Sequence, residues 1–300
     1  MNILIAGGTG LIGSALAKSL RARGHRVKII TRNPEKVEAG YQPVSWDEPA
    51  LLSALNQTDA VINLAGASLA GNNPLQMRWT SKRKEAIINS RTTVGRKLLG
   101  AISKLDRKPE VFVQASAIGY YGNQGLEPVD ENTAAGDDFL TEVCQAWEAS
   151  TAQLESLGVR RLVIRIGLVF SRAGGLLPLL SLPVKYFVGG KIGSGNQALS
   201  WIHLTDIVES IQFLMADSRY QGVFNLTAPN PETQLSFVQS LGKTLSRPVW
   251  LPIPAGILKL ILGEAATLAL DGRPVHPTRL LKSGYQFTYP DLASSLDDLY

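Results

Sequence analysis

Near its N-terminus the chain reads Asn2-Ile3-Leu4-Ile5-Ala6-Gly7-Gly8-Thr9-Gly10-Leu11-Ile12-Gly13, and this stretch decides the fold class. A short apolar run leads into a glycine-rich turn, and apolar residues at helical spacing follow from residue 11 to residue 23. Short apolar runs are typical of central parallel strands, which are buried on both faces. The stretch therefore predicts a strand over residues 2–6, a tight turn, and a helix that Gly24 ends.

The alternation of apolar strands and helices continues along the chain. It predicts further strands at 27–31, 59–64, 111–115, 162–166 and 223–226. It predicts helices at 81–104, 138–157, 205–216, 233–245 and 254–270. Strands that alternate with helices indicate βαβ units. We therefore expect an α/β protein, a Rossmann doubly wound parallel sheet with a smaller C-terminal substrate lobe.

The glycines of the first turn have separate expected roles. Gly7 permits the tight turn, Gly10 lets the backbone approach a pyrophosphate, and Gly13 lets the helix pack closely on the strand. The following helix offers free N–H groups and the positive end of its dipole to phosphates. Such a motif between a strand and a helix predicts a bound dinucleotide. The expected contacts from this turn are Gly7, Thr9, Gly10, Leu11, Ile12 and Gly13.

The end of the second predicted strand discriminates between NAD and NADP. NAD-binding folds usually place an acidic residue there to accept hydrogen bonds from the ribose hydroxyls. The chain instead reads Ile30-Thr31-Arg32-Asn33. Arg32 can bind a 2′-phosphate and Thr31 can add a hydroxyl, while a solvated surface role for Arg32 is the alternative. The sequence therefore predicts NADP(H) as the cofactor.

Two later strand ends are expected to complete the cofactor site. Asp47 follows the third strand, where it is placed to meet the adenine amino group, and a plain turn aspartate is the alternative. The fourth strand ends at Asn63 and continues into Leu64, Ala65 and Gly66. Small residues at this edge let the ribose and nicotinamide half of a cofactor lie close to the backbone. We therefore predict that Leu64, Ala65 and Gly66 contact the cofactor, with a plain exit from strand to loop as the alternative.

We place an approximate domain boundary near Gly167, after which glycines and prolines interrupt the regular alternation of strands and helices. This gives an NADP-binding Rossmann domain over residues 1–167 and a substrate lobe over residues 168–300, with a C-terminal helical segment at about 250–297. The strand at 223–226 is expected to return to the first sheet.

Composition restricts the class of function. Of the 300 residues, 45% are hydrophobic and 18% are charged, so the chain can bury a large core and does not resemble a disordered one. A nucleic-acid binder would concentrate its basic residues on one face, but the densest basic run, residues 78–84, is short. The net charge of +5 suits an anionic small ligand equally well. We therefore expect a small-molecule substrate and no nucleic-acid partner.

Other features bear on location and metals. The chain has one cysteine, Cys144, which fits a reducing compartment. The N-terminus has no signal-peptide pattern, and charged residues interrupt the apolar stretch at 251–270. We expect a cytoplasmic protein with no membrane partner. The histidines, His25, His203 and His276, lack metal-ligand spacing, so we expect no metal.

Together these motifs resemble the extended short-chain dehydrogenase/reductase superfamily over nearly the whole chain. Residues 115–122 resemble the strand that carries its catalytic serine or threonine, and residues 201–208 resemble the segment that enters its late helix. More narrowly, the chain is similar to the atypical branch called the epimerase family, of the YfcH type. The motifs that carry this likeness are Arg78-Trp79, Ser90-Arg91, Gly119-Tyr120-Tyr121-Gly122, Trp147-Glu148, Gly193-Ser194-Gly195, Trp201-Ile202-His203, Pro277, Arg279, Leu280 and Gly284-Tyr285.

The resemblance implies NADP binding more firmly than it implies any reaction. It also implies two further cofactor contacts, Arg91 and Arg165. The alternative for Arg91 is a solvated or dimer-facing side chain, because the superfamily often pairs through the helices predicted at 81–104 and 138–157. The resemblance therefore allows a homodimer that pairs through these two helices.

The chain departs from the superfamily at its catalytic Tyr-x-x-x-Lys pair, in which the lysine lowers the pKa of the tyrosine. On the matching helix, Cys144 and Glu148 share the face where the pair would stand. A nearby anion raises the pKa of a thiol, so we expect Cys144 to be a small buried side chain. The remaining candidate catalytic residues are Ser116, Tyr120 and Tyr121, with packing or substrate lining as the alternative for the tyrosines.

Two classes of function stay open. The first is an NADP(H)-dependent oxidoreductase or epimerase that acts on a nucleotide-sugar or another small carbonyl or hydroxyl substrate. The second is a cofactor-binding sensor or regulator without chemistry, which the missing Tyr-x-x-x-Lys pair suggests. The polar residues expected near the cleft favour the enzyme.

Overall fold

A central parallel sheet organises the protein, whose computed structural model describes residues 1–69, 77–122 and 125–300. In chain order, the described strands are β1 (Asn2–Ala6), β2 (Arg26–Ile30), β3 (Gln42–Val44), β4 (Ala60–Asn63), β5 (Val111–Ala117), β6 (Arg160–Ile166), β7 (Leu168–Phe170), β8 (Ala198–Leu199), β9 (Trp201–His203), β10 (Gly222–Leu226) and β11 (Glu232–Thr233). The described helices are α1 (Leu11–Ala22), α2 (Glu48–Leu55), α3 (Ser81–Ser103), α4 (Phe139–Ala149), α5 (Leu177–Lys185), α6 (Leu204–Ala216), α7 (Gln234–Thr244), α8 (Ala255–Leu262), α9 (Thr267–Leu270), α10 (Thr278–Lys282) and α11 (Leu292–Leu299).

The large sheet has the strand order β10-β6-β5-β4-β1-β2-β3, and every neighbouring pair is parallel. The first six strands follow the doubly wound Rossmann order, in which ligands bind beyond the carboxyl ends of the strands. The sequence prediction of the fold class is confirmed. The expected return of the late strand is also confirmed, since Asn225 of β10 pairs with Arg165 of β6.

The apolar strands sort their side chains onto two faces because successive residues of a strand point to opposite sides. In β1, Ile3 and Ile5 pack with α1 and α6, whereas Leu4 and Ala6 pack with α2 and α3. All four side chains are fully buried. Burial of this kind contributes about 1.5–3 kcal/mol for each large aliphatic side chain, which holds the strand in the centre of the sheet.

A separate apolar cluster holds the C-terminal residues together. Phe170 lies between Trp201 and Phe237, with ring centroids 5.3 Å from each. Leu296 of α11 joins the same cluster and is fully buried. This second core agrees with the idea of a smaller lobe, whose boundary at residue 167 stays a prediction.

Two predicted helices are broken in the structure. The helix expected at 138–157 ends at Ala149, because the buried Thr151 leaves helical geometry and its hydroxyl donates to Gln114 Oε1 at 3.1 Å. The helix expected at 254–270 divides into α8 and α9 at Gly263, whose φ is +61°. No helix within the described ranges is long and apolar enough to cross a membrane.

Candidate functional site

Two glycines of the first turn are required by close backbone packing. A Cβ at Gly13 would lie 2.2 Å from the carbonyl oxygen of Gly7, and a Cβ at Gly7 would lie 2.8 Å from the backbone of Leu64. Gly7 also has a φ of +85°, which L-residues rarely adopt. These two positions therefore join β1, α1 and the end of β4, as the sequence predicts for Gly13.

Gly10 differs from its neighbours because the space in front of it is open. It is exposed, and an added Cβ would meet only the Gly7 oxygen, at 3.3 Å. Gly10 precedes α1 with φ −82° and ψ 174°, supplies no capping side chain, and the first turn of the helix has no acidic residue. The N–H groups of the first turn have no partner inside the helix, so this open cradle suits an anionic group such as a pyrophosphate.

The end of β2 presents one free cationic side chain. Thr31 is 8% exposed, and its hydroxyl accepts a hydrogen bond from the Asn33 N–H at 3.0 Å. Arg32 is exposed and forms no hydrogen bond or ion pair with any residue that the structure describes. The turn at Thr31 therefore shapes the strand end, and Arg32 is available to an anionic ligand.

Asp47 is the N-terminal cap of α2. One of its carboxylate oxygens accepts from the Ala50 N–H at 3.0 Å, and the other accepts from the Ser45 hydroxyl. These hydrogen bonds, that of Ser45 first, lower the pKa of Asp47. The capping role explains an aspartate at this position, and contact with adenine stays a prediction.

Arg91 lies directly against the residues that follow β4. A Cβ at Gly66 would be 3.2 Å from the Arg91 Cζ, and the guanidinium lies 4.8 Å from the centroid of the Trp147 ring. Arg91 is only 8% exposed, and burial lowers its pKa to about 10. Its Nη1 donates to the Ile87 carbonyl at 3.1 Å. The side chain is therefore not solvated, and contact with the cofactor and the dimer-facing alternative both stay predictions.

An interior polar network connects β5, α4, β6 and β10. Ser116 Oγ donates to Glu148 Oε1 at 2.6 Å. Arg165 forms a bidentate ion pair with Glu148, with Nε–Oε1 at 2.9 Å and Nη2–Oε2 at 3.0 Å. Arg165 Nη1 also donates to the Tyr121 hydroxyl at 3.1 Å, and that hydroxyl donates to Asn225 Oδ1 at 2.7 Å. The network continues through Asn225, whose Nδ2 donates to the His276 carbonyl at 3.0 Å.

This network bears on the roles predicted for Ser116, Tyr121 and Arg165, which stay predictions. Ser116 is 2% exposed, and in this structure its hydroxyl donates to Glu148 rather than into an open cleft. Burial raises the pKa of Tyr121 to about 12. Burial alone would lower the pKa of Arg165, but its bonds to Glu148 raise it, and its N–H groups face these partners rather than a cofactor phosphate.

Tyr120 packs on the same network from outside. The Arg165 Cζ lies 3.2 Å from the centroid of its ring, and the ring also meets Tyr121 edge-on at 5.4 Å between centroids. The packing alternative therefore describes both tyrosines in this structure. No described residue of the matching helix restores the missing catalytic pair, because Glu148 is held by Arg165.

Cys144 is a buried thiol, as expected from the sequence. Its Sγ lies 3.5 Å from the Ala117 carbonyl oxygen, to which it donates. Burial first, and the charge of Glu148 second, raise the pKa of Cys144 to about 11. The thiol therefore stays protonated near neutral pH and is not an activated nucleophile.

A cavity of about 210 Å³ lies beside Cys144, between the carboxyl edge of the sheet and the chain near α9. Its lining is mostly apolar, and neither Ser116 nor the two tyrosines are part of it. Most of its polar lining could not be predicted from the sequence, because these residues come from distant parts of the chain. The polar and charged side chains that line it are Arg91, Cys144, Trp147, Ser200, Thr267, Asp271 and Arg273.

The histidines have structural surroundings rather than a common site. His203 is the N-terminal cap of α6, where its Nδ1 accepts from the Thr205 N–H at 3.2 Å. Within the described part of the chain, no group of three histidine, cysteine or acidic side chains could hold a metal ion.

Comparison with known proteins places this geometry in a family. The model of the NAD dependent epimerase/dehydratase family matches residues 3–227, and a domain of unknown function (DUF1731) matches residues 253–299. The chain is 38% identical to the chloroplastic epimerase family protein SDR39U1 homolog of Arabidopsis thaliana, over 99% of this chain and 86% of that protein. It is 37% identical to the epimerase family protein YfhF of Bacillus subtilis, over 100% of this chain and 98% of that protein.

A solved structure agrees with these relatives. The crystal structure of human epimerase family protein SDR39U1 (isoform 2) with NADPH superimposes with a TM-score of 0.90 at 33% identity. The match covers 100% of this chain and 99% of the human one. The glycine turn and the strand order agree with the family model, and the relatives align over nearly the whole chain. The chain therefore belongs to the NAD-dependent epimerase/dehydratase family.

Proposed function

We propose that this protein binds NADP(H) and catalyses an oxidoreduction or an epimerisation of a small hydroxyl or carbonyl compound, with nucleotide-sugars among the candidates. The observation that carries the proposal is the open cradle at Gly10, in front of a helix N-terminus without acidic residues. The exposed Arg32 at the end of β2, where NAD-binding folds usually have an acid, supports NADP(H) over NAD(H). The human relative that was crystallised with NADPH gives the same indication.

The residues of the site fit such a cofactor in three places. The first turn of α1, behind Gly10, would hold the pyrophosphate. Arg32 would hold the 2′-phosphate through charge-assisted hydrogen bonds. The backbone at Leu64, Ala65 and Gly66, with Arg91 beneath it, would accept the ribose and nicotinamide half. When bound there, the nicotinamide supplies a hydride acceptor or donor.

A second candidate is a cofactor-binding sensor or regulator without chemistry. A specific observation favours it, since Cys144 and Glu148 stand where the superfamily has tyrosine and lysine. The pKa of Cys144 is raised to about 11, and Glu148 is held in its ion pair with Arg165. Cys144 therefore stays protonated near neutral pH, and the Glu148 carboxylate is occupied by Arg165.

The cofactor preference is tested by titration calorimetry with NADPH and NADH. We expect tighter binding of NADPH, and we expect Arg32→Glu to remove the preference. Loss of hydrogen bonds to a phosphate corresponds to about 1.5–3 kcal/mol, which is about a 10- to 150-fold loss of affinity. Arg26→Glu is the matched control, because Arg26 is exposed at the opposite end of the same strand. Equal affinities for the two cofactors in the unaltered protein would refute the role of Arg32.

The choice between enzyme and sensor is tested by following the absorbance of the reduced nicotinamide against a panel of sugar-nucleotides and small carbonyl compounds. Turnover of any panel member would support the enzyme. Tight NADPH binding without turnover of any member would support the sensor. The cytoplasmic location, the absence of nucleic-acid and membrane partners and the homodimer stay predictions, and light scattering in solution checks the last.

A further inference from the structure

We propose that the cavity beside Cys144 is a subsite for an anionic group of the substrate, a carboxylate or a phosphate, bound by Arg91, Trp147 and Arg273. The proposal rests on the proposed function, because it assigns the substrate class of the same cleft. It goes beyond the cofactor site, which it meets at Arg91, because that guanidinium lies against Gly66 and also lines the cavity.

Buried donors without partners are the first observation. The Nε atoms of Arg91 and Arg273 and the Nε1 atom of Trp147 are all buried, and none has a hydrogen-bond partner among the described residues. All three side chains line the same cavity, although they come from α3, α4 and the segment after α9. Buried N–H groups are almost always paired in folded proteins, so three orphans around one cavity indicate a missing acceptor.

The charge of the lining is the second observation. Arg91 is more than nine-tenths buried. Neither Arg91 nor Arg273 forms an ion pair with a carboxylate that the structure describes. Asp271 is the opposing charge of the lining, and partial burial of its carboxyl raises its pKa, which favours the uncharged form. Two guanidinium groups therefore face one carboxyl group. A buried cation without a counter-ion is costly, and an anionic ligand would supply one.

The two guanidinium groups are held in place by their other contacts. Arg91 Nη1 donates to the Ile87 carbonyl, and its plane lies over the Trp147 ring at 4.8 Å. Arg273 Nη1 donates to the Tyr121 carbonyl at 3.2 Å. The Nε atoms remain buried without a partner among the described residues, so both guanidinium groups are held in place before a ligand arrives.

The size and remaining lining of the cavity indicate what accompanies the anionic group. Its volume of about 210 Å³ is below the range of about 300–1,000 Å³ that is typical of drug-sized ligand sites. Ile118, Leu140, Val143 and Leu268 supply apolar walls. The cavity therefore suits a small acid, or the phosphorylated end of a small molecule, rather than a whole nucleotide-sugar.

The test uses fluorine NMR with small probes on the full chain, both alone and saturated with NADPH. Trifluoroacetate is the carboxylate probe, monofluorophosphate is the phosphate probe, and trifluoroacetamide is a neutral probe of similar shape. We expect one or both anions to bind, with the stronger one identifying the natural group, and we expect much weaker binding of the amide. Trp147→Phe keeps an aromatic ring but removes the indole N–H. Arg273→Met keeps an unbranched apolar side chain but removes the positive charge. Each should weaken anion binding about tenfold, as for a lost hydrogen bond to a charged group.

Arg219→Met is the control, because it removes the same charge from an exposed side chain outside the cavity. Undiminished anion binding in both Trp147→Phe and Arg273→Met would overturn the proposal, as would equal binding of the neutral amide. Displacement of the anions by NADPH would also overturn it, because the donors would then serve the cofactor. NADPH affinity is measured on the same samples. Failure to bind NADPH contradicts the proposed function, whereas NADPH binding without anion binding contradicts only the subsite.

Discussion

The replacement of Gly10 by valine separates cofactor binding from folding. The backbone of Gly10 has extended geometry, φ −82° and ψ 174°, which valine adopts readily. The added Cβ would meet only the Gly7 oxygen, at 3.3 Å, and the rest of the side chain would project into the open space before α1. We therefore expect the free energy of unfolding to change by no more than about 1 kcal/mol, as for most exposed substitutions.

The same side chain should nearly abolish NADPH binding. It would occupy the place where the pyrophosphate reaches the N–H groups of α1, and at least two charge-assisted hydrogen bonds would be lost. At about 1.5 kcal/mol each, this loss is about 3 kcal/mol, or roughly a 100-fold weaker affinity. Gly100→Val is the matched control, because an added Cβ at Gly100 meets nothing within 4 Å.

Titration calorimetry measures the affinity, and urea denaturation measures the free energy of unfolding. Gly13→Ala gives the opposite expected pattern, since its Cβ would lie 2.2 Å from the Gly7 oxygen and so should destabilise the fold itself. Unchanged NADPH affinity in a stably folded Gly10→Val protein would show that the cofactor does not lie against this turn.

Three further predictions follow from buried charges. Arg91→Ala should weaken NADPH binding about tenfold, and the size of this loss should depend little on salt because the side chain is only 8% exposed. Calorimetry at two salt concentrations checks this. A dimer that dissociates while the NADPH affinity is unchanged would contradict it. Glu148→Ala should lower the free energy of unfolding by about 3–5 kcal/mol, because Arg165 would remain as an unpaired buried cation; a loss below about 1 kcal/mol in urea denaturation would speak against this. Burial lowers the pKa of His203, so the folded protein binds this proton less readily than the unfolded chain, and stability should fall as the pH drops below about 6.5. His203→Asn keeps an acceptor for the Thr205 N–H but does not titrate. The thermal stability of this variant should therefore fall less than that of the unaltered protein between about pH 7.5 and 5.5. Parallel curves of thermal stability against pH for the two proteins would refute the role of His203.

The sequence predicted the sheet and the glycine turn well because both depend on local patterns. Apolar runs of strand length, helical spacing and glycine position are visible within about a dozen residues. The inert character of Cys144 was also predictable, since it followed from the chemistry of a neighbouring glutamate. Element ends were less accurate, as at Thr151, where a buried tertiary hydrogen bond ends the helical geometry.

The polar interior could not be predicted from spacing. Glu148 and Arg165 are 17 residues apart and meet only because α4 packs over β5 and β6. The sequence does not show which anion stands opposite Arg165, and the family resemblance therefore implied a cofactor contact for it. In the same way, Arg273 reaches the cavity from the last thirty residues of the chain, and no local motif points to that contact.

The return of β10 to the sheet has a consequence for how the chain reaches its native state during synthesis. Until residue 226 has left the ribosome, β6 is an unprotected sheet edge, and Arg165 lies beside that edge with its ion pair incompletely covered. The hydrogen bond from the Tyr121 hydroxyl to Asn225 also cannot form earlier, because Asn225 lies 104 residues further along the chain. Contacts of such long sequence separation form late, and an open parallel edge invites pairing with other chains. A fragment that stops at residue 167 should therefore aggregate rather than fold, and the nucleotide-binding half should become protease-resistant only after the chain has been translated through β10.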